Sequence, residues 1–226
     1  MLAAVGLGGY GERHIDTLSG GEAQRVALAR TLAPEPSIVM LDEPMGSLDR
    51  LLRERLAVDI RTALRAENVT AIVVTHDQDE AFTIADRVAI MHAGTIAQVA
   101  TPTGLRRSPT SVFVAEFLGL DCILATDVDA EGRFAIAGVA LIRPDWPAGP
   151  ASIVVPPEAL AFVAVDGAVT VGTVGEQRFR GDHFVTAVHL DTTVVTVHTA
   201  DTHPEGATVG VAIDPARLAR VTGAGH

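Results

Sequence analysis

Asp42 and Glu43 form an acidic pair whose position suits binding of a metal ion and activation of water. The apolar run at residues 38–41 precedes the pair, and its lack of alternation is typical of a buried parallel strand. Such sheets bind ligands where their strands end, so Asp42 can hold magnesium, which prefers oxygen ligands. The adjacent Glu43 points another way and can act as a general base toward water. A solvated Asp-Glu pair before Pro44 is the alternative.

Ser19, Gly20 and Gly21 are typical of a phosphate-binding helix start. Two glycines allow a ligand to approach the backbone closely, and the free N–H groups and helix dipole favour an anion. The alternative is an ordinary capped helix, because Ser19 with Glu22 three residues later also matches a capping box.

His76 directly follows a second apolar run, residues 70–75. A lone histidine is most often structural or solvated, so its type alone indicates little. Its place at the end of a strand makes it a candidate site residue.

Strands and helices alternate in the first half of the chain. Residues 22–33 are strong helix formers stopped by Pro34 and Pro36, and residues 50–67 place apolar residues at a spacing of four. The pattern predicts a parallel α/β sheet with strands at 37–41, 70–75 and 87–91 and a third helix at 78–85.

Beyond Gly119 the helical periodicity ends and short β-branched runs are broken by Gly, Pro and Asp. Strands at this spacing predict a small barrel or sandwich. We therefore expect two domains, residues 1–120 and 121–226. Histidines 183, 189, 198 and 203 show no compact ligand spacing and are expected to be scattered surface residues.

Composition excludes several kinds of protein. The net charge of −11 argues against a nucleic-acid-binding surface. Cys122 is the sole cysteine, which excludes an internal disulfide and a metal–thiolate cluster. No apolar run reaches the ~20 residues needed to cross a bilayer. All 17 basic residues are arginine, so no lysine is available to bind a phosphate.

Four segments in this order resemble the second half of an ABC-transporter ATPase cassette. They are Leu18-Ser19-Gly20-Gly21-Glu22, Asp42-Glu43-Pro44 after its apolar run, Ser47-Leu48-Asp49, and Thr75-His76-Asp77. Residues 121–226 resemble the TOBE-type, OB-like β domain of importers. The resemblance implies an incomplete P-loop NTPase (RecA-like) parallel-sheet domain followed by a small all-β domain.

The resemblance also implies roles for residues and a need for ATP and Mg²⁺. The signature residues Ser19, Gly20, Gly21 and Glu22 would contact the γ-phosphate held by a second subunit. Asp42 would bind the metal, Glu43 would be the general base, Asp49 would belong to the D-loop, and His76 would contact the γ-phosphate. These eight residues are the predicted site.

The resemblance implies a phosphate-binding loop of the form G-x-x-x-x-G-K-[ST], which this sequence lacks. A start codon assigned too late, a gene fragment, or a loop supplied by another chain would each account for this. We expect negligible ATP hydrolysis by the chain alone. In related folds the loop's strand lies between the strand ending at His76 and residues 87–91, so we expect a gap there and marginal stability.

The implied partners are transmembrane permease subunits, a second ATPase subunit as a dimer and, indirectly, an extracytoplasmic solute-binding protein, with no nucleic acid. The implied location is cytoplasmic, peripheral on the inner face of the plasma membrane. Ferric iron or polyamine is the expected solute. One alternative is a non-hydrolytic regulatory or ligand-binding subunit that uses the β domain. A chromosome-maintenance ATPase is disfavoured by the acidic charge and by the lack of heptad repeats.

Overall fold

A computed structural model of the chain describes residues 1–46, 49–191 and 193–221. It divides into two compact units, Met1–Val88 and Ala89–His226. The domain boundary expected near residue 120 lies inside the second unit. That residues 1–120 and 121–226 are separate domains stays a prediction. No helix within the described ranges is long and apolar enough to span a membrane.

The first unit alternates helices and strands, in agreement with the predicted α/β class. Its elements are α1 (Gly20–Leu32), β1 (Ile38–Asp42), α2 (Arg50–Ala66), β2 (Thr70–Val74) and α3 (Gln78–Ile84). Strands β1 and β2 pair in parallel, with Ile38 opposite Thr70 and Asp42 opposite Val74. Both strands therefore end at the same edge of the sheet.

The core of the first unit lies between the helices and one face of this sheet. Leu56, Ile60 and Leu64 of α2 are buried, as their spacing predicts. Val39 of β1 is buried against them, in the cluster that also includes Leu28 and Leu32 of α1. The packing fixes the sheet edge relative to the starts of both helices.

The other face of the β1–β2 sheet is apolar and exposed. It presents four exposed residues that alternate with buried or half-buried ones: Ile38, Met40, Ile72 and Val74. Burying them would be favourable, so this face is suited to being covered by other protein.

The predicted third parallel strand does not join this sheet, which corrects the expectation from the sequence. β3 (Val88–His92) pairs instead with β4 (Thr95–Ala100), and within the described residues β2 pairs only with β1. Only Ala93 and Gly94 separate β3 from β4, and both have the positive φ of a tight hairpin turn. Because the turn is so short, β3 pairs with the strand that follows it directly in the chain.

The second unit consists mostly of strands. After β4 come α4 (Pro102–Arg107), α5 (Val112–Phe117), β5 (Ile123–Val128), β6 (Arg133–Ile136), β7 (Val139–Ile142), β8 (Gly149–Val154), β9 (Leu160–Val163), β10 (Thr170–Phe179), β11 (Phe184–Leu190), β12 (Thr193–Thr199), β13 (Thr208–Ile213) and β14 (Ala219–Val221). A five-stranded sheet has the order β12-β11-β10-β13-β9, a three-stranded sheet β14-β8-β5, and β6 pairs with β7. Alternate residues of β11 and β13 enter one core with Trp146.

Candidate functional site

Glu43 and His76 meet at the edge where β1 and β2 end. The His76 Nδ1 and a Glu43 carboxylate oxygen lie 2.8 Å apart. The Glu43 backbone N–H also donates to the Val74 carbonyl at 2.9 Å, which ties the turn after β1 to the last residue of β2. The structure thus brings together the two residues predicted to be catalytic.

The Glu43 backbone has the left-handed φ of +44°. A residue with a Cβ in this region costs roughly 1–2 kcal/mol, and a residue before proline normally prefers extended backbone. The bond to Val74 and a second one from Gly46 N–H to the Glu43 carbonyl (3.3 Å) hold this conformation. Such strain is concentrated at functional positions, and here it directs the Glu43 side chain toward His76.

The hydrogen bond with Glu43, followed by the charge of that carboxylate, raises the pKa of His76 above its usual value. The imidazole is therefore charged over a wider pH range than a free histidine. Both side chains are solvent-accessible, so water screens the pair and can also reach the Glu43 carboxylate. This accessibility is what a base acting on water needs.

Asp42 is the last residue of β1 and its side chain is exposed at the same edge. Among the described residues no cation pairs with Asp42, and no group of three His, Cys, Asp or Glu side chains could hold a metal by itself. Magnesium usually takes one or two carboxylates and completes its shell with water and substrate phosphates. A single accessible aspartate fits that arrangement better than it fits a metal site made by protein alone.

Ser19 caps α1, and the capping box considered from the sequence is present. The Ser19 hydroxyl accepts from the Glu22 N–H at 3.4 Å, and the Glu22 carboxylate accepts from the Ser19 N–H at 2.8 Å. Tyr10 donates to the same carboxylate at 2.9 Å. The Ser19 hydroxyl also donates to this carboxylate at 2.9 Å. The hydrogen bonds from the Ser19 backbone N–H, the Ser19 hydroxyl and Tyr10, in that order, lower the pKa of Glu22 to about 2. Capping and anion binding are compatible, because both use the free N–H groups of the first turn.

Gly21 also has a packing reason to be glycine. A Cβ there would lie 3.1 Å from Leu52 Cδ1, because the first turn of α1 packs on the start of α2. The sequence alone suggested only close approach to a ligand.

Asp49 caps α2, its Oδ1 accepting from the Leu52 N–H at 3.0 Å. Ser47 and Leu48, which precede it in the predicted D-loop, lie outside the described residues. Binding of nucleotide by Ser19, Gly20, Gly21, Glu22 and Asp49 stays a prediction.

Two groups of residues were missed by sequence reasoning. Arg53 reaches Asp77 at 2.9 Å, next to His76, and no local signal in the sequence indicates this contact between residues far apart in the chain. His183 and His198 were expected to be scattered, but their rings lie 4.5 Å apart. The hairpin register explains this pair, since His198 lies opposite Val185.

Comparison with known proteins supports the resemblance. The family model described as "ABC transporter" matches residues 1–46. The chain is 43% identical over 230 residues to the protein named Fe(3+) ions import ATP-binding protein FbpC of Streptomyces avermitilis, covering 99% of this chain and 66% of that protein. The protein of the same name from Streptomyces coelicolor is 41% identical, covering 100% of this chain and 65% of its own length.

A second kind of relative matches almost as far along the chain. The protein named Spermidine/putrescine import ATP-binding protein PotA of Clostridium novyi is 37% identical over 221 residues, covering 95% of this chain and 63% of that protein. The chain therefore spans slightly less than two thirds of the length of these relatives.

Proposed function

The chain belongs to the family of ABC-transporter ATP-binding proteins, and on this premise we propose that it is the part of an importer's ATPase that activates water and completes a neighbouring ATP site. The observation that supports this most directly is the 2.8 Å contact of Glu43 with His76 where two parallel strands end. The names of the relatives support import as the process that it energises.

We assign the roles within the site as follows. Asp42 would hold Mg²⁺, which supplies charge neutralisation on the phosphates of bound ATP. Glu43 accepts a proton from water, and the charged imidazole of His76 beside it stabilises negative charge. Ser19, Gly20 and Gly21 present the N–H groups of the α1 start to a phosphate bound by a second subunit, with Glu22 keeping that turn capped and Asp49 at the adjoining surface.

A phosphate-binding lysine has to come from another polypeptide segment, because this chain contains no lysine. We therefore propose that the chain alone hydrolyses ATP negligibly. It would act as a dimer with a second ATPase subunit, on the cytoplasmic face of permease subunits that receive solute from a binding protein. Reading the DNA in frame before the codon for Met1 would show whether the loop is encoded there.

Complementation tests this proposal. The segment of the Streptomyces avermitilis relative that this chain does not match is co-expressed with the chain, and ATP turnover of the purified complex is measured. We expect turnover by the complex, background turnover by the chain alone, and a loss of roughly 10²–10⁴-fold with Glu43→Gln, the usual contribution of a general base. Turnover by the chain alone, or an equally active Glu43→Gln complex, would show the proposal to be wrong.

Ferric iron is the solute that we propose first and a polyamine second, because the relatives at 43% and 41% identity are named for Fe(3+) and the one at 37% for spermidine and putrescine. Vesicles that contain the chain with its permease and binding protein are supplied with labelled ferric iron or labelled spermidine. ATP-dependent accumulation of spermidine alone would favour the second class and exclude the first.

A further inference from the structure

The position of the His76 ring is not fixed by its own contacts. The side chain is 81% exposed, and Glu43, which it contacts, is 40% exposed. Exposed ion pairs contribute little to holding two side chains in one geometry, because water competes for both groups. The placement of the imidazole against Glu43 therefore depends on the backbone on either side of it, at Thr75 and Asp77.

A short network holds that backbone. The Thr75 hydroxyl donates to Glu80 Oε2 at 2.6 Å and accepts from the Asp77 N–H at 3.1 Å. The Asp77 carboxylate in turn accepts from the Glu80 N–H at 3.1 Å, as the cap of α3. Both neighbours of His76 are thus bonded to the first turn of α3.

Arg53 joins this network from α2. One guanidinium nitrogen donates to Asp77 Oδ2 at 2.9 Å, and the Nε lies 3.4 Å from Glu80 Oε1. The Glu80 side chain is only 5% exposed, and a buried carboxylate is tolerated only with partners of this kind. The planar guanidinium of Arg53 thus donates a hydrogen bond to one carboxylate and lies within ion-pair distance of the other, an arrangement that a lysine cannot make in the same way.

We propose, as an extension that rests on the proposed function, that Arg53, Thr75 and Glu80 are positioning residues that hold His76 against Glu43. Arg53 lies one helical turn after Asp49, the predicted nucleotide contact. The first turn of α2 therefore also holds His76 in position. The starts of α2 and α3 then act as one unit that sets the relative positions of Asp49 and His76.

Arg61 offers a matched control on the same helix. It also lies on α2, is similarly half-buried, and contacts α3, but at the other end. Its guanidinium donates to the carbonyls of Thr83 and Ile84 at 2.8 and 2.9 Å and to Asp86 at 2.9 Å. Its replacement removes a link of the same kind without touching the residues beside His76.

The test is the ¹⁵N chemical shift of His76 Nδ1 in the whole chain at fixed pH without nucleotide, with His76→Gln for assignment. We expect Arg53→Gln and Thr75→Val to move the shift toward the value found in Glu43→Gln, where the partner carboxylate is gone. Thr75→Ser, which keeps the hydroxyl, should restore the wild-type shift. Arg61→Gln should lower the melting temperature and leave the shift unchanged.

An unchanged shift in folded Thr75→Val, or an equal displacement in Arg61→Gln, would overturn the proposal. Thr75→Val keeps the volume of the side chain, so the test remains available if Arg53→Gln does not fold. Because no nucleotide is present, the result is independent of whether the complemented chain hydrolyses ATP. If the complex shows no ATP turnover but the His76 signal is displaced in Arg53→Gln and Thr75→Val, the proposed function is rejected and the positioning role is retained.

Discussion

At the scale of single residues, the site depends on Glu43 adopting a conformation that its local sequence disfavours. The sequence predicts that Glu43 and His76 end neighbouring strands, because each follows an apolar run. It could not predict the left-handed backbone before Pro44, because that conformation is held by the Val74 carbonyl on another strand. For the same reason the contact of Arg53 with Asp77, 24 positions away, is a tertiary feature that spacing on one helix does not reveal.

Ser19→Ala is expected to lower the free energy of unfolding of the first unit by about 1 kcal/mol near neutral pH, the usual cost of losing an N-cap side chain. Part of this cost should depend on pH. The Ser19 backbone N–H, which the substitution keeps, is the first cause that lowers the pKa of Glu22 from 4.5 to about 2, and the Ser19 hydroxyl, which donates to the Glu22 carboxylate at 2.9 Å and is lost, is the second. A carboxyl group whose pKa is lowered in the folded state stabilises that state when the pH is above the pKa of the unfolded chain. For Glu22 this contribution is lost as the pH falls from 4.5 through about 2.

Urea unfolding followed by circular dichroism at 222 nm should therefore show a difference between wild type and Ser19→Ala that narrows over this acid range. Thr31→Ala is the control, because the Thr31 hydroxyl donates to the uncharged Ala27 carbonyl of the same helix. Its effect should not vary with pH. A Ser19→Ala difference that is the same above pH 4.5 and near pH 2 would contradict the role of Glu22.

At the scale of elements, periodicity and chain breakers were sufficient to predict the helices and strands of the first unit. Pro34 and Pro36 end α1, and the spacing of four along α2 matches the face that packs in the core. Pairing was harder to predict, because β3 resembles β1 and β2 in composition and yet pairs with β4 across a two-residue turn. In the second unit the short β-branched runs predicted strands, while the contact of His183 with His198 required the register of a hairpin.

The His183–His198 pair is expected to make the second unit less stable in mild acid. Loss of hydration lowers the pKa of His198, and the positive charges of His183 and Arg106 lower it further. The carboxylates of Glu158 and Asp182 raise it, but by less, so the pKa of His198 is below its usual value. At a pH well above 6.5, a histidine whose pKa is lowered in the folded state does not change the free energy of unfolding. As the pH falls from 6.5 through the lowered pKa, the unfolded state binds the proton more readily, and the folded state becomes progressively less stable.

The urea midpoint of Trp146 fluorescence should therefore drop between pH 8 and pH 5 by less in His198→Gln than in wild type. His189→Gln is the control, since His189 is exposed on the same sheet and outside this pair. A His198→Gln variant with the same pH dependence as wild type would show that the contact does not contribute.

At the scale of the whole molecule, each of the two cores draws its buried side chains from one unit. The core with Leu28 and Leu56 lies within Met1–Val88, and the core with Trp146 and Leu190 lies within Ala89–His226. The first unit has a two-stranded sheet with an exposed apolar face, and small isolated sheets of this kind are marginal. The second has a five-stranded sheet and a larger core. Their stabilities should therefore differ.

We expect two transitions on urea unfolding, and we expect the first unit to unfold at the lower urea concentration. Circular dichroism at 222 nm follows the long helices of the first unit, and Trp146, the only tryptophan, reports on the core of the second. Leu56→Ala and Leu190→Ala form a matched pair, because both leucines are almost fully buried, one in each core. Each should cost about 2–5 kcal/mol and shift mainly the transition of its own unit. Coincident transitions, or a Leu56→Ala variant that lowers the Trp146 midpoint as much as the helical one, would show that the chain unfolds as a single cooperative structure.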